Sequence, residues 1–265
     1  MANHIISLHG RFRDEDGTEK YVFESGDGII EITHVKNKGG IAVFCLPTHH
    51  YCNLGCKFCH LTEEGDRSKP MNPIKAEVLA EALAHILNVG VKDDRALFSF
   101  MGVGEPFLNI HLIHNLYEIM KEKFVELSLA LATMITSSKP FEICREWVKG
   151  GVPLRIHFSM HSPLDKQRLT IIPASAVTVV DAVTALVSFK EEAQSSAEVM
   201  ANMTSFHEDP TPVEIHYTVI AGVNDSDEEL AEVIALGQKF QVPFKIIKFN
   251  PTKELARSSK EEYWL

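Results

Sequence analysis

The sequence predicts an α/β fold: a parallel sheet of six strand–helix repeats, (β/α)6, curled into part of a barrel behind a short N-terminal β-hairpin. Three observations carry this. Six short runs rich in β-branched and aromatic residues recur at 41–47, 95–101, 127–135, 154–160, 213–220 and 244–249. Between them lie segments whose apolar residues return every three or four positions, at 74–89, 110–123, 177–192 and 227–240. Polar motifs collect just after the strand runs, where the loops of a parallel barrel converge on one mouth. Strands that alternate with helices pair in parallel, because a crossover element must return the chain to the start of the next strand.

Taken in order, the runs 20–23 and 29–34 flank Gly26-Asp27-Gly28, a turn signal that makes them the hairpin. Asn72-Pro73 places a proline near the first turn of the first helix. A helix-like stretch at 141–149 holds Cys144 in its core. The polar stretch 191–212, with Ser195-Ser196, Pro210 and Pro212, predicts a long loop. Asn224-Asp225-Ser226-Asp227 supplies N-cap side chains for the last helix. The domain reading is an N-terminal extension and hairpin over 1–40, a core over 41–250 and a tail over 251–265.

The 265 residues are 45% hydrophobic and 23% charged, enough to build one large core and too apolar for a largely disordered chain. No stretch approaches the roughly 18 apolar residues of a membrane span, and Arg11, Asp14 and Glu15 interrupt the region where a signal peptide would be apolar. A cytoplasmic protein without a membrane partner is expected. The formal charge of −10 repels polyanions, so contact with RNA would need a local basic patch.

Chemistry enters with the cysteines. Three of the five crowd into the motif Cys52-x-x-x-Cys56-x-x-Cys59, directly after the first barrel strand. Short thiolate spacing of this kind suits an iron–sulfur cluster, and three thiolates on a cubane leave one iron open for reaction. The alternative is a tetrahedral zinc site completed by His49, His50 or His60, which are otherwise loop residues around the metal. Met101-Gly102-Val103-Gly104-Glu105-Pro106 closes the second strand, Ser159-Met160-His161 the fourth, and Phe249-Asn250-Pro251 the sixth. Gly104 permits close backbone approach, Glu105 supplies a negative charge, and Ser159, His161 and Asn250 supply hydrogen-bonding groups.

Cys52 to Cys59, with Phe58 before the last thiol, resembles the signature of radical S-adenosylmethionine enzymes. The order and separation of the further motifs, from about residue 21 to 259, resemble the RlmN/Cfr type of adenine-methylating ribosomal RNA enzymes. The resemblance implies the radical SAM form of the partial, TIM-like barrel. It also implies a [4Fe–4S] cluster on Cys52, Cys56 and Cys59 and reductive cleavage of S-adenosyl-L-methionine to a 5′-deoxyadenosyl radical. Cofactor contacts are implied at Gly104, Glu105, Ser159, Met160, His161 and Asn250, with a third-strand contact at Thr133, Thr136 or Ser137. Cys45, seven residues before Cys52, takes the family's resolving-thiol role, and Glu31 that of its general base. Read alone, Cys45 is a core thiol and Glu31 a solvated strand residue. An RNA substrate and an external electron donor such as a flavodoxin or ferredoxin are implied as partners.

Two parts of the family pattern fall outside these 265 residues: an N-terminal helical domain, and a C-terminal cysteine that carries the methyl group. This chain is therefore expected to cleave the cofactor without completing methyl transfer by the family's route. Radical chemistry on a small molecule or peptide is the alternative function, and a metal-binding module without turnover the non-enzymatic one. Replacing Cys52, Cys56 or Cys59 by Ala should abolish a broad visible absorption near roughly 400 nm in anaerobically reconstituted protein. Stoichiometric zinc without iron incorporation would count against the cluster.

Overall fold

The computed structural model describes residues 6–36, 39–61, 70–91 and 93–261. Among the described residues, nine strands form one sheet in strictly sequential order. Strands β1 (Ile6–Arg13), β2 (Glu19–Ser25), β3 (Gly28–Lys36) and β4 (Ile41–Cys45) are antiparallel neighbours. From β4 onward, β5 (Arg95–Phe100), β6 (Glu126–Thr133), β7 (Leu154–Ser159), β8 (Val213–Tyr217) and β9 (Phe244–Ile246) are parallel. β1 and β9 are the two edges, so the sheet stays open. The expected hairpin is the β2–β3 pair, but it belongs to a three-stranded antiparallel extension of the same sheet. β1 escaped the sequence reading because its burial pattern has only two half-buried positions among exposed ones.

The crossover helices are α1 (Ala76–Asn88), α2 (Ile110–Met120), α3 (Pro140–Lys149), α4 (Asp165–Ile171), α5 (Val179–Ser195), α6 (Ala197–Phe206) and α7 (Asp227–Phe240). Pro73 does not open α1. His50 N–H donates to the Asn72 carbonyl (2.9 Å) and Ile74 N–H to Thr48 O (3.1 Å), which holds this segment against the loop after β4 and delays the helix to Ala76. The stretch 191–212 is not a long loop either. Ser196 leaves helical geometry after α5 and its side chain accepts from Val199 N, capping α6. Val199 and Met203, one turn apart, are fully buried, and this pair anchors an otherwise polar helix. The expected cap of α7 is present, with the Ser226 hydroxyl accepting from Glu229 N at 3.1 Å.

Alternation along the strands divides the sheet into two faces. Phe44, Phe98, Leu131, Ile156, Phe158, Ile215 and Tyr217 are buried in the core shared with the helices. Phe98 sits edge-on to both Phe44 and Phe124 at 5.8 Å between ring centroids. The opposite face is polar: Arg155 pairs with Glu214, and the rings of His157 and His216 lie 4.4 Å apart. The helices bury the apolar outer face, and the inner face carries these polar groups.

Asn224 fixes the end of β8. It is fully buried, its Nδ2 donates to the carbonyls of His161 (2.5 Å) and Thr218 (2.8 Å), and its Oδ1 accepts from Ile220 N (2.7 Å). Asn224→Ala would strand these buried groups at a cost of about 2–4 kcal/mol. A fall in melting temperature of roughly 5–15 °C is expected by circular dichroism; a fall of a degree or less would show that the network carries little.

Candidate active site at the strand ends

The loop after β4 and the loop after β5 interlock. Thr48 N–H donates to Val103 O (2.8 Å), Gly102 N–H donates to Leu46 O (3.1 Å), and Asn109 Nδ2 bridges the carbonyls of Thr48 (2.8 Å) and Ile74 (3.0 Å). Two glycines permit this closeness. A Cβ on Gly102 would lie 2.9 Å from the Leu46 backbone, and one on Gly104, whose φ is +107°, would run into His49 and Thr48.

Glu105 follows immediately and is only 2% exposed. Its carboxylate accepts from Thr133 Oγ1, from Met134 N at 3.1 Å and from Phe107 N at 3.1 Å. Burial raises its pKa, and these donors oppose the rise. Glu105 thus also joins the β5 loop to the end of β6. Among the three hydroxyls competing for the third-strand contact, Thr133 is taken by Glu105 and Ser137 accepts from Lys139 N. Thr136 keeps a buried hydroxyl with no partner among the described residues, a group suited to a bound ligand.

The cysteine loop packs on α4, with Lys57 N–H donating to Ile171 O at 2.9 Å. Cys56 is buried among Met134, Ile171 and Ile172, while Cys52 and Cys59 are half-buried. Burial raises the thiol pKa of Cys52 and Cys56, and the neighbouring thiols and Glu105 raise both further. Three thiolates beside a carboxylate call for a strongly cationic partner, and metal binding is the usual way to deprotonate such a set. Among the described residues the three sulfurs do not gather within 4.8 Å of one another. A single tetrahedral zinc would hold its thiolates roughly 3.8 Å apart, whereas a cubane binds each thiolate at a separate iron. The set fits a [4Fe–4S] cluster. His49 and His50 turn elsewhere, toward Thr48 Oγ1 (2.9 Å) and Ile29 O (3.1 Å).

His161 follows β7 with φ +57°, and Ile135 follows β6 with φ +54°, two strained backbones just past adjacent strand ends. Thr218 N–H donates to His161 Nδ1 (3.2 Å), and burial lowers the ring's pKa to about 3. The ring is therefore neutral, with its proton on Nε2. Phe58 of the cysteine loop packs against it at 4.2 Å between centroids. Ser159, His161, Thr218 and Asn250 line one cavity of about 400 Å³ with Phe58 and His60. Met160 differs from its neighbours: its side chain is fully buried, its N–H donates to His216 O, and its carbonyl accepts from Arg168 Nε (3.1 Å). No side chain of Met160 reaches the cavity.

Glu31, His50, Tyr51, Cys52 and Val103 line a second cavity of about 270 Å³. Thr33 is the register partner of Cys45, so Glu31, two residues along β3, shares the face of Cys45. Burial raises the Cys45 thiol pKa, while the Met101 backbone N–H and the Lys20 charge oppose this. Lys20 also pairs with Glu31 at 3.0 Å. Cys144 lies fully buried on α3, away from these loops. Sequence reasoning missed Lys20, which the register of β2 could have placed, and Arg168, whose burial no local pattern reveals.

Two outcomes follow from this geometry. Asn250 is exposed and lines the cofactor-sized cavity, so Asn250→Ala should weaken S-adenosylmethionine binding at unchanged melting temperature, whereas Glu105→Gln should lower both, since its amide N–H₂ would face a donor. Equal binding in both variants, read by calorimetry, would defeat the assignment. Burial also lowers His49 and His207 to about 4. The unfolded chain protonates these rings and His161 below about pH 6.5, while the fold keeps them neutral. Their stabilisation is complete above pH 6.5 and declines as pH falls toward 3–4, by up to about 1.4 kcal/mol per unit for each ring. His161→Asn should flatten the fall of melting temperature between pH 6.5 and 4, and an unchanged slope would refute it.

The Radical SAM superfamily model matches residues 46–234. The dual-specificity RNA methyltransferase RlmN of Oleidesulfovibrio alaskensis is 26% identical over 247 residues, covering 92% of this chain and 64% of the relative. The ribosomal RNA large subunit methyltransferase Cfr of Bacillus velezensis is 29% identical over 245 residues, covering 88% of this chain and 62% of the relative. This chain thus spans less than two thirds of either protein. A radical SAM methyltransferase from Sphaerobacter thermophilus superposes with a TM-score of 0.77 at 19% identity, covering 98% of this chain and 73% of that one, and so shares the fold. The family uses a [4Fe–4S] cluster and S-adenosylmethionine, and with its model matched across most of the open barrel, this chain belongs to the radical SAM superfamily.

Proposed function

We propose that Cys52, Cys56 and Cys59 hold the [4Fe–4S] cluster, that the chain cleaves S-adenosylmethionine reductively, and that the substrate is an adenine of RNA. The carrying observation is the cavity that Glu31 shares with Cys52, on the sheet face that also bears Cys45. A carboxylate and the cysteine loop facing one space, with the Cys45 thiol on the same face of the sheet, suit proton removal and thiol chemistry beside a radical source. The names of RlmN and Cfr, as RNA methyltransferases, support the same substrate class.

When bound, the cluster supplies the electron for cofactor cleavage, drawn from an external donor such as a flavodoxin or ferredoxin. The chain's own side chains position and polarise. Neutral His161 offers an Nε2–H donor, and Ser159, Thr136 and Asn250 offer hydroxyl and amide groups for the cofactor's polar parts. Glu105 is the carboxylate assigned to the cofactor's ammonium. Lys20 holds Glu31, the assigned general base, and its charge partly opposes the burial that keeps Cys45 as a thiol. Phe58 closes the contact between the cysteine loop and His161, limiting water there.

The test is anaerobic incubation with S-adenosylmethionine and dithionite, with and without large-subunit ribosomal RNA. Mass analysis then reads 5′-deoxyadenosine, S-adenosylhomocysteine and methylated nucleosides. Formation of 5′-deoxyadenosine, raised several-fold by RNA and lost in Cys56→Ala, is expected. Glu31→Gln should retain cleavage while losing the response to RNA. Absence of cleavage would sink the enzymatic reading, and cleavage indifferent to RNA would sink the substrate.

A further inference from the structure

Below the strand-end cavity, the inner face of the sheet carries a group of side chains that cofactor cleavage does not use. His157 on β7 stands opposite Glu214 on β8 in register, and His216 is two residues further along β8. One ligand atom from each of these three residues lies within 4.8 Å of the others, the one such group among the described residues. His157 is 8% exposed, and both of its ring nitrogens are buried without a hydrogen-bond partner. A buried imidazole with neither nitrogen satisfied gives up its solvation without compensation. Its lone pair is a ligand in waiting.

The neighbours orient the rest. Arg155 donates to Glu214 Oε2 at 2.9 Å, which fixes the carboxylate plane and leaves Oε1 turned to His216 Nε2 at 2.7 Å. An outer partner that steers a ligating carboxylate is a recurring feature of metal sites. We propose that His157, Glu214 and His216 bind a divalent transition metal of the zinc class on the inner face of the sheet. Arg155 offsets the carboxylate charge, and Lys245 faces His216 from β9 across the register. Hard cations that rely on several anionic oxygens, such as magnesium or calcium, are therefore poorly matched, while two imidazoles suit zinc. Ligand atoms around tetrahedral zinc lie about 3.3 Å apart, so His157 closes toward the pair as the metal enters. Three protein ligands leave a fourth position for water or a ligand. His216 also lines the cavity of Ser159 and His161, so that position can be reached from it.

The test uses the anaerobically iron-reconstituted chain, equilibrated with zinc and returned to metal-free buffer, with metal content and zinc-edge X-ray absorption measured. Stoichiometric zinc with nitrogen and oxygen neighbours only is expected. His157→Gln and His216→Gln should each lower retained zinc at least tenfold at unchanged iron content. Failure to retain zinc, sulfur neighbours around it, or retention indifferent to both substitutions would overturn the site. Should either variant misfold, the absorption spectrum of the unsubstituted chain decides alone.

Discussion

A guanidinium taken almost completely out of water is tolerated only where acceptors surround it, and Arg168, at 1% exposure, meets that condition at the junction of the strand ends. It donates to Met160 O at 3.1 Å, to Met134 O at 2.6 Å and to Ser175 Oγ, and it lies over the Phe158 ring at 5.1 Å. Burial lowers its pKa to about 10, so it stays charged at neutral pH. One side chain therefore ties the end of β6 to the end of β7 and sets a positive charge beside Cys56 and Glu105. Removing one member of a buried charge network commonly costs about 3–5 kcal/mol. Here the loss would also loosen the two strand ends that present Thr136 and His161.

The same logic explains the shape of the inner face. An ordinary closed barrel fills its interior with branched apolar side chains. This sheet stays open and places Arg155, His157, Glu214 and His216 inside, while stability comes from the outer face buried under the helices. Separating the two tasks leaves the inner face free to carry polar groups. Glycines at 102 and 104 serve the same end, letting two loops approach until Glu105 can reach β6.

The sequence made the barrel legible because strand and helix periods differ so clearly in it. The six parallel strands and four strongly periodic helices lie within a few residues of their expected places. Where context overrode local pattern, the reading failed. β1 has little apolar alternation, α6 hides its buried pair in a polar stretch, and Pro73 is held in an extended segment by His50 and Thr48 rather than by its own preference. Site residues were readable where they stood in tight motifs after strands. Ser159, His161 and Asn250 face one cavity, whereas Met160, between two of them, points into the core because a strand alternates. Lys20, Arg168 and the histidine pair of the inner face depend on contacts far apart in sequence, which no single-segment pattern encodes.

These features converge on a cysteine loop whose three thiolates, on the function proposed above, would leave one metal corner for the cofactor. Mössbauer spectroscopy of ⁵⁷Fe-reconstituted chain, with and without S-adenosylmethionine, reads this most directly. The account predicts a cubane spectrum in which a single iron site shifts on cofactor addition while the others hold still. A spectrum in which no site responds, or in which all shift together, would contradict it.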